Sequence, residues 1–270
     1  MNVPSPAPSL PLVDRLCALD AAGVLMAPGE TAEEFELRAA ELRAALPSFL
    51  PQDLPQVPEA EKEAACRTVD ALYGISPGWV PGYCSTKETG RFSAGVLLIC
   101  DDKAPLIYLA EAFLRRKSFR GYTCAETLAH EMVHAARLPW EGSVYEEFFP
   151  CQVHRSPFRR RAGNLFRAWY LPLLFFTGLT FGIFFYPLLL LPAGILLREI
   201  QIQLRFRAAA AALRAMGLRP MPVLLRLDDR EIAALARGKT PAFLTEPDSP
   251  RRQLLYRRFA PEEKPPSASE

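Results

Sequence analysis

Histidine is scarce in this chain, three in 270 residues. The six cysteines, Cys17, Cys66, Cys84, Cys100, Cys124 and Cys151, are scattered, with no C-x-x-C pair. Their spacing excludes a disulfide scaffold and fits reduced thiols in a cytosol-facing protein. Neither charge sign dominates: 32 Lys and Arg stand against 30 Asp and Glu, a net charge of +2. No global basic field therefore points to nucleic acid, and none is expected as a partner. A Gly-rich phosphate loop, a nucleophile elbow and an internal repeat are all missing, which removes the usual signals for nucleotide binding, serine hydrolysis and solenoids. The opening residues MNVPSPAPSLP carry no Lys, no Arg and no apolar run, so they do not read as a secretory signal. Disorder is scarce too, since half the residues are hydrophobic and only 23% are charged.

What is present is mostly helix. After the Pro-rich lead, apolar spacing predicts a helix over 12–26, stopped by Pro28 and Gly29. Thr31 and Glu34 form a capping box for a helix reaching Leu46, and 59–73 reads as another. Loop composition fills 74–90. Two apolar, β-rich runs, 92–100 and 105–114, flank Asp101-Asp102-Lys103 and predict an antiparallel hairpin. A second capping box, Thr123 with Glu126, then opens a helix over 125–137, ended by Pro139.

That helix contains His130-Glu131-Met132-Val133-His134, an HExxH motif. Positions i and i+4 share one helical face, so both imidazoles can converge on one metal ion. Glu131 projects about 100° away and can reach the open side of that metal. The stretch resembles the active-site helix of the zincin metallopeptidases. The resemblance implies zinc bound by His130 and His134, Glu131 as general base, and an edge strand that holds an extended peptide. The metzincin continuation H-x-x-G-x-x-H is absent, since Arg137 stands three residues after His134, where its glycine would be. The gluzincin arrangement is therefore expected, with a downstream Glu as third ligand. Glu147 is preferred, because it leaves Phe148 outside, with Glu146 as the alternative and Glu141 a more remote one. His154, Tyr145, Tyr122 and Arg137 are candidates for transition-state or supporting contacts, Arg137 as a tie to these acids or as a helix-end cation.

From 169 to 197 no residue is charged, nor is any Asn, Gln or His. About 20 apolar residues cross a ~30 Å hydrocarbon core, so this stretch is long enough for a membrane. Arginines flank both ends: Arg155, Arg159, Arg160, Arg161 and Arg167 before it, Arg198, Arg205, Arg207, Arg214 and Arg219 after it. One tilted span and a hairpin bending near 178–182 both remain open, with the hairpin favoured because it returns both basic flanks to the cytoplasm. A helix to Met216, a short helix capped by Asp228 or Asp229, and a disordered 262–270 tail complete the chain.

The expectation is an α+β protein, mainly helical with a small antiparallel sheet. Its parts are a lead over 1–30, a zincin-like domain over 31–160, a membrane segment over 162–204 and a helical region over 205–270. The expected function is a membrane-anchored zinc peptidase facing the cytoplasm, with peptide or protein substrates and lipid as partners. The alternative is a non-enzymatic membrane scaffold whose zinc is structural or absent, to be favoured if Cys151 or His154 closed the coordination sphere.

Overall fold

A computed structural model of the chain describes residues 3–91, 93–101, 104–140, 142–162 and 170–260. Glu141, Arg167, Trp169, the Asp102-Lys103 turn and the 262–270 tail fall outside them.

Helix α1 (Leu12–Ala21) ends before the predicted Met26. The cause is Gly23, whose φ of +86° turns the chain where a Cβ would stand 2.9 Å from Pro77 Cβ. Helix α2 (Ala32–Ala45) starts on its capping box, with Glu34 N–H donating to Thr31 Oγ1 and Thr31 N–H to Glu34 Oε2. Helix α3 (Glu59–Tyr73) has the predicted bounds. The stretch read as loop holds strand β1 (Gly82–Cys84) and a single turn, α4 (Thr86–Thr89).

Strands β2 (Gly95–Cys100) and β3 (Ala104–Leu109) are antiparallel, Leu97 opposite Ile107 and Leu98 opposite Leu106. The second run stops being strand at Leu109, and Glu111–Leu114 is a 3₁₀ turn. β1 joins β3 in parallel, giving the order β1-β3-β2. The sheet is thus mixed rather than wholly antiparallel, its buried strand is central, and β2 is left at the edge. Strands β4 (Ser118–Phe119) and β5 (Tyr122–Thr123) form a small second hairpin that runs straight into α5 (Cys124–Ala136).

Short helices α6 (Phe148–Cys151) and α7 (Pro157–Ala162) follow, then the apolar pair α8 (Tyr170–Gly182) and α9 (Leu190–Ala215). Helices α10 (Pro220–Leu224), α11 (Asp229–Ala236), α12 (Ala242–Thr245) and α13 (Pro250–Phe259) close the chain. The α+β class expected from sequence holds: mainly helix, a small sheet, and one apolar helical segment. A single buried cluster gathers Leu16 and Phe35 from the N-terminal helices, Ile107 and Met132 from the centre, and Leu213, Leu224 and Leu254 from the C-terminal third. The three regions outside the apolar segment therefore share one core. Arg226, buried near the C-terminus, clasps Asp20 of α1 through Nε at 2.9 Å and Nη2 at 2.8 Å, and Arg258 reaches the same carboxylate.

The apolar segment folds back on itself. The bend lies just after Gly182, over Ile183–Leu189, rather than within 178–182. Gly178 and Gly182 instead let the arms touch: a Cβ would stand 2.7 Å from Pro192 Cδ at the first and 2.4 Å from Leu189 Cδ2 at the second. The tip is bare, with Phe184 86% and Tyr186 81% exposed. Tyr186–Ala215 is long and apolar enough to cross a membrane by length and composition. Its far half belongs to the protein core, however, since Ile202, Phe206, Ala209, Ala210 and Leu213 are buried there.

Candidate metal centre

Helix α5 is fixed at its start by Thr123, whose Oγ1 accepts from Glu126 N while Glu126 Oε2 accepts from Thr123 N–H. Leu128, Met132 and Val133 bury the opposite side of the helix, so the 3.6-residue period turns His130 and His134 toward a cleft under β2. Their Nε2 atoms are 3.3 Å apart. Glu147 stands at the residue before α6, its carboxylate 3.5 Å from His130 Nε2 and 3.3 Å from His134 Nε2. Ligands at 2.0–2.1 Å around a tetrahedral zinc lie about 3.3–3.4 Å from one another. The two imidazole nitrogens, with one Glu147 oxygen near each and one ligand atom from every residue within 4.8 Å of the others, have the donor chemistry of a zinc site, so His130, His134 and Glu147 could hold the metal.

Electrostatics ties the three together. Burial works to raise the Glu147 carboxyl, but the two imidazoles hold it well below the usual carboxylate range. For His134 burial works downward, but the hydrogen bond to Glu147 together with the charges of Glu147, Glu131 and Glu146 raises it. Glu131 lies outside the triad and is 8% exposed. Burial pushes its carboxyl up, opposed by His130 and His134. Directly over it lies Gly95 of β2, where a Cβ would stand 3.0 Å from Glu131 Oε1.

β2 forms the rim. Ala94 O accepts from Ala110 N–H at 2.9 Å, so the antiparallel alternation pairs Val96, Leu98 and Cys100 with β3. Gly95, Leu97 and Ile99, which line the cleft, then have main-chain groups directed to the free edge. This part of the cleft has a volume of about 410 Å³.

The remaining candidates have other places. Glu146 lines the cleft, but its Oε2 accepts from Gly142 N–H at 3.2 Å. Phe148 is not outside; it packs on Phe206 of α9 with ring centres 4.2 Å apart. Tyr145 is buried in the same aromatic cluster, and burial pushes its phenol up to about 12. Among the described residues Arg137 makes no ion pair with Glu146 or Glu147, and Glu141 lies outside them. Arg137 is buried, donates to Leu225 O, and lies 4.4 Å from the Phe149 ring centre; burial lowers it to about 10. His154 is 5% exposed and stacks on His130, ring centres 5.3 Å apart. Burial, then His130, lowers it to about 4. His130, Cys151 and His154 form a second group of potential ligands within 4.8 Å. Burial pushes the Cys151 thiol up to about 12.

Sequence reasoning passed over Gly95 and Phe206. The first had a signal, a glycine inside a β-rich run, which marks close approach of another group. The second, one aromatic on an Ala- and Arg-rich helix, had none. The chain matches no known family model, no curated protein and no solved structure.

Proposed function

We propose that the protein is a zinc-dependent peptidase held at a membrane surface. The observation that carries this reading is the triad of His130, His134 and Glu147, the imidazole Nε2 atoms 3.3 Å apart and the two Glu147 oxygens 3.5 and 3.3 Å from them, beside a buried Glu131 outside it. Zinc with three protein ligands lowers the pKa of a bound water to about 7 and polarises a carbonyl. Glu131 is the general base: its carboxylate accepts the proton of the attacking water and returns it to the departing amine. Burial raises its proton affinity, which suits that exchange near neutral pH. An extended peptide pairs with the free edge of β2, exchanging main-chain hydrogen bonds with Gly95, Leu97 and Ile99. The half-buried strand and helix keep bulk water from the cleaved bond.

The apolar hairpin is the anchor. From Tyr186 to about Ile200 the exposed part of its second arm is roughly 20–25 Å long, short of the ~30 Å hydrocarbon core. It therefore enters one leaflet and returns, keeping both flanks and the cleft on one side, the cytoplasmic side favoured by the arginines.

The test is elemental analysis of zinc in the detergent-purified full chain beside His130→Ala, Glu147→Ala and Glu131→Gln, followed by assay on unfolded casein. One zinc per chain in wild type and Glu131→Gln, its loss in the other two, and casein cleavage by wild type alone are expected. Cleavage that survives both Glu131→Gln and chelation would overturn the assignment.

A further inference from the structure

The cleft continues past His130 and Glu131, and its two halves differ in charge. Leu97, Ile99 and Leu138 line one half, with Glu146 and the buried Arg137. The other, with a volume of about 400 Å³, extends from the same His130 and Glu131 to Arg120, Tyr122 and Arg159. Arg159 is held in place by groups that leave its charge uncancelled. Its Nη1 donates to Gly121 O at 2.6 Å, its Nη2 to Arg120 O at 3.3 Å, and its guanidinium lies 3.7 Å from the Tyr122 ring centre. Two neutral acceptors and a π face use part of its five donors and fix the plane. Among the described residues Arg159 has no ion pair with a carboxylate. The acids packed nearby are engaged elsewhere: Glu126 accepts from Thr123 N–H and from Arg155 N–H at 2.8 Å, and Glu147 faces the two imidazoles.

Arg120 is placed there at a conformational cost. The two-residue turn between β4 and β5 has φ +52° at Arg120 and +77° at Gly121. Positive φ at both positions is the type I′ geometry, which favours Asn or Gly at the first. An arginine there is uncommon; its Nη2 donates to Arg91 O at 3.4 Å and its guanidinium lies 5.4 Å from the Phe119 ring centre.

We propose that this half of the cleft binds a carboxylate of the substrate, either an acidic side chain or a free C-terminus close to the cleaved bond, with Arg159 and Arg120 as its partners. A fixed guanidinium matches the two oxygens of a carboxylate. The proposal rests on the peptidase reading for its view of the cleft as a substrate groove.

Its test is a binding measurement, so it stands apart from hydrolysis. Four dansyl pentapeptides, neutral or containing one Glu, each with a free or an amidated C-terminus, are titrated into zinc-loaded Glu131→Gln in detergent and read by anisotropy. The parent is expected to bind at least one class of carboxylate about tenfold more tightly than the neutral amide, a factor typical of one charge-assisted hydrogen bond. Comparing the neutral free acid with the Glu amide tells which carboxylate is taken. Adding Arg159→Gln should reduce the preference to under about threefold, Arg159→Lys should restore part of it, and Arg120→Gln, at an exposed turn, should weaken it without unfolding the chain. Zinc content should be the same in all. Equal binding of the four peptides, or a preference indifferent to both arginines, would overturn the proposal. So would an Arg159→Gln effect seen only as weaker binding to phosphatidylglycerol vesicles, which would assign the arginine to lipid headgroups. Casein that is never cleaved would sink the peptidase reading while leaving this measurement intact.

Discussion

At Gly95 the strand and the motif helix come so close that a Cβ would stand 2.7 Å from Thr127 Cγ2 as well as 3.0 Å from Glu131 Oε1. Neither neighbour is a free-swinging chain end, because Thr127 also donates its Oγ1 to Thr123 O at 3.0 Å. Gly95→Ala is therefore expected to cost about 1–3 kcal/mol by overpacking, and to lower hydrolysis more than zinc content, since it displaces the base and not a ligand. Glu131→Gln should keep the metal and lose about 10²–10⁴-fold in kcat, the usual share of a general base. A third expectation concerns thiols far from the triad. Burial pushes Cys84 up to about 11 and Cys124 up to about 12. Above pH 9 the unfolded chain loses these protons while the folded chain keeps them, so stability falls as pH rises. At pH 10 each thiol should remove about 1.4 kcal/mol relative to pH 7. Chemical denaturation at the two pH values, repeated with Cys84→Ala and Cys124→Ala, measures it; an unchanged pH slope in the double variant would refute the assignment.

The elements explain how a residue as far along as Glu147 is brought to α5. The turn before α6 is clamped by aromatics: Phe148, Phe149 and Tyr145 all pack on Phe206, with ring centres at 4.2, 5.6 and 5.8 Å. Tyr73 of α3 adds a hydroxyl that donates to Phe149 O at 2.6 Å. Ser143 Oγ and Val144 N–H donate to Asp229 at 2.6 and 2.9 Å, fixing the approach from α11. Glu147 is thus positioned by α3, α9 and α11 together. Phe206→Ala should cost about 3–5 kcal/mol and weaken zinc binding, whereas Phe184→Ala, at the exposed tip, should change neither. Competition with a chromogenic chelator, beside thermal melting, separates the two effects. Pro150 does not break this arrangement, because α6 is one turn long and Pro lies where little helix remains to disrupt.

At the scale of the whole molecule, two features decide behaviour. The first is the closure of the chain on itself through Asp20, which is 1% exposed and faces both Arg226 and Arg258. Asp20→Ala would leave the buried Arg226 without a counter-charge and is expected to cost about 3–5 kcal/mol. The loss should appear in a single cooperative transition, since α1 and α13 belong to one core. The second is the hairpin, whose exposed Leu and Phe side chains surround both arms. A helix apolar all round needs an apolar environment. The full chain should co-sediment with lipid vesicles. Cysteines introduced at Ser156 and Arg219, on opposite flanks of the hairpin, should both react with an impermeant maleimide added outside. Protection of one of them alone would mean a single span.

Local rules made much of this molecule legible. Capping boxes at Thr31 and Thr123 fixed helix starts because their hydrogen bonds close within four residues. The HExxH spacing put two imidazoles on one face because a helix repeats every 3.6 residues. The β2–β3 pairing followed from two apolar runs with a short connection. Other features depended on contacts between residues far apart in the chain. β1 joined the sheet in parallel across the intervening α4 and β2, so loop composition around it concealed a strand. That Glu147 rather than Glu146 faces the two imidazoles follows from the aromatic clamp from α9, and Phe148, expected outside, packs into that clamp. Arg137 turned to Leu225, 88 residues away, rather than to Glu146 or Glu147. Sequence determines what closes within a few residues. The placement of Glu147, the charge of the cleft and the point where α9 leaves the core were decided by tertiary structure, because side-chain packing and burial depend on partners that sequence spacing does not encode.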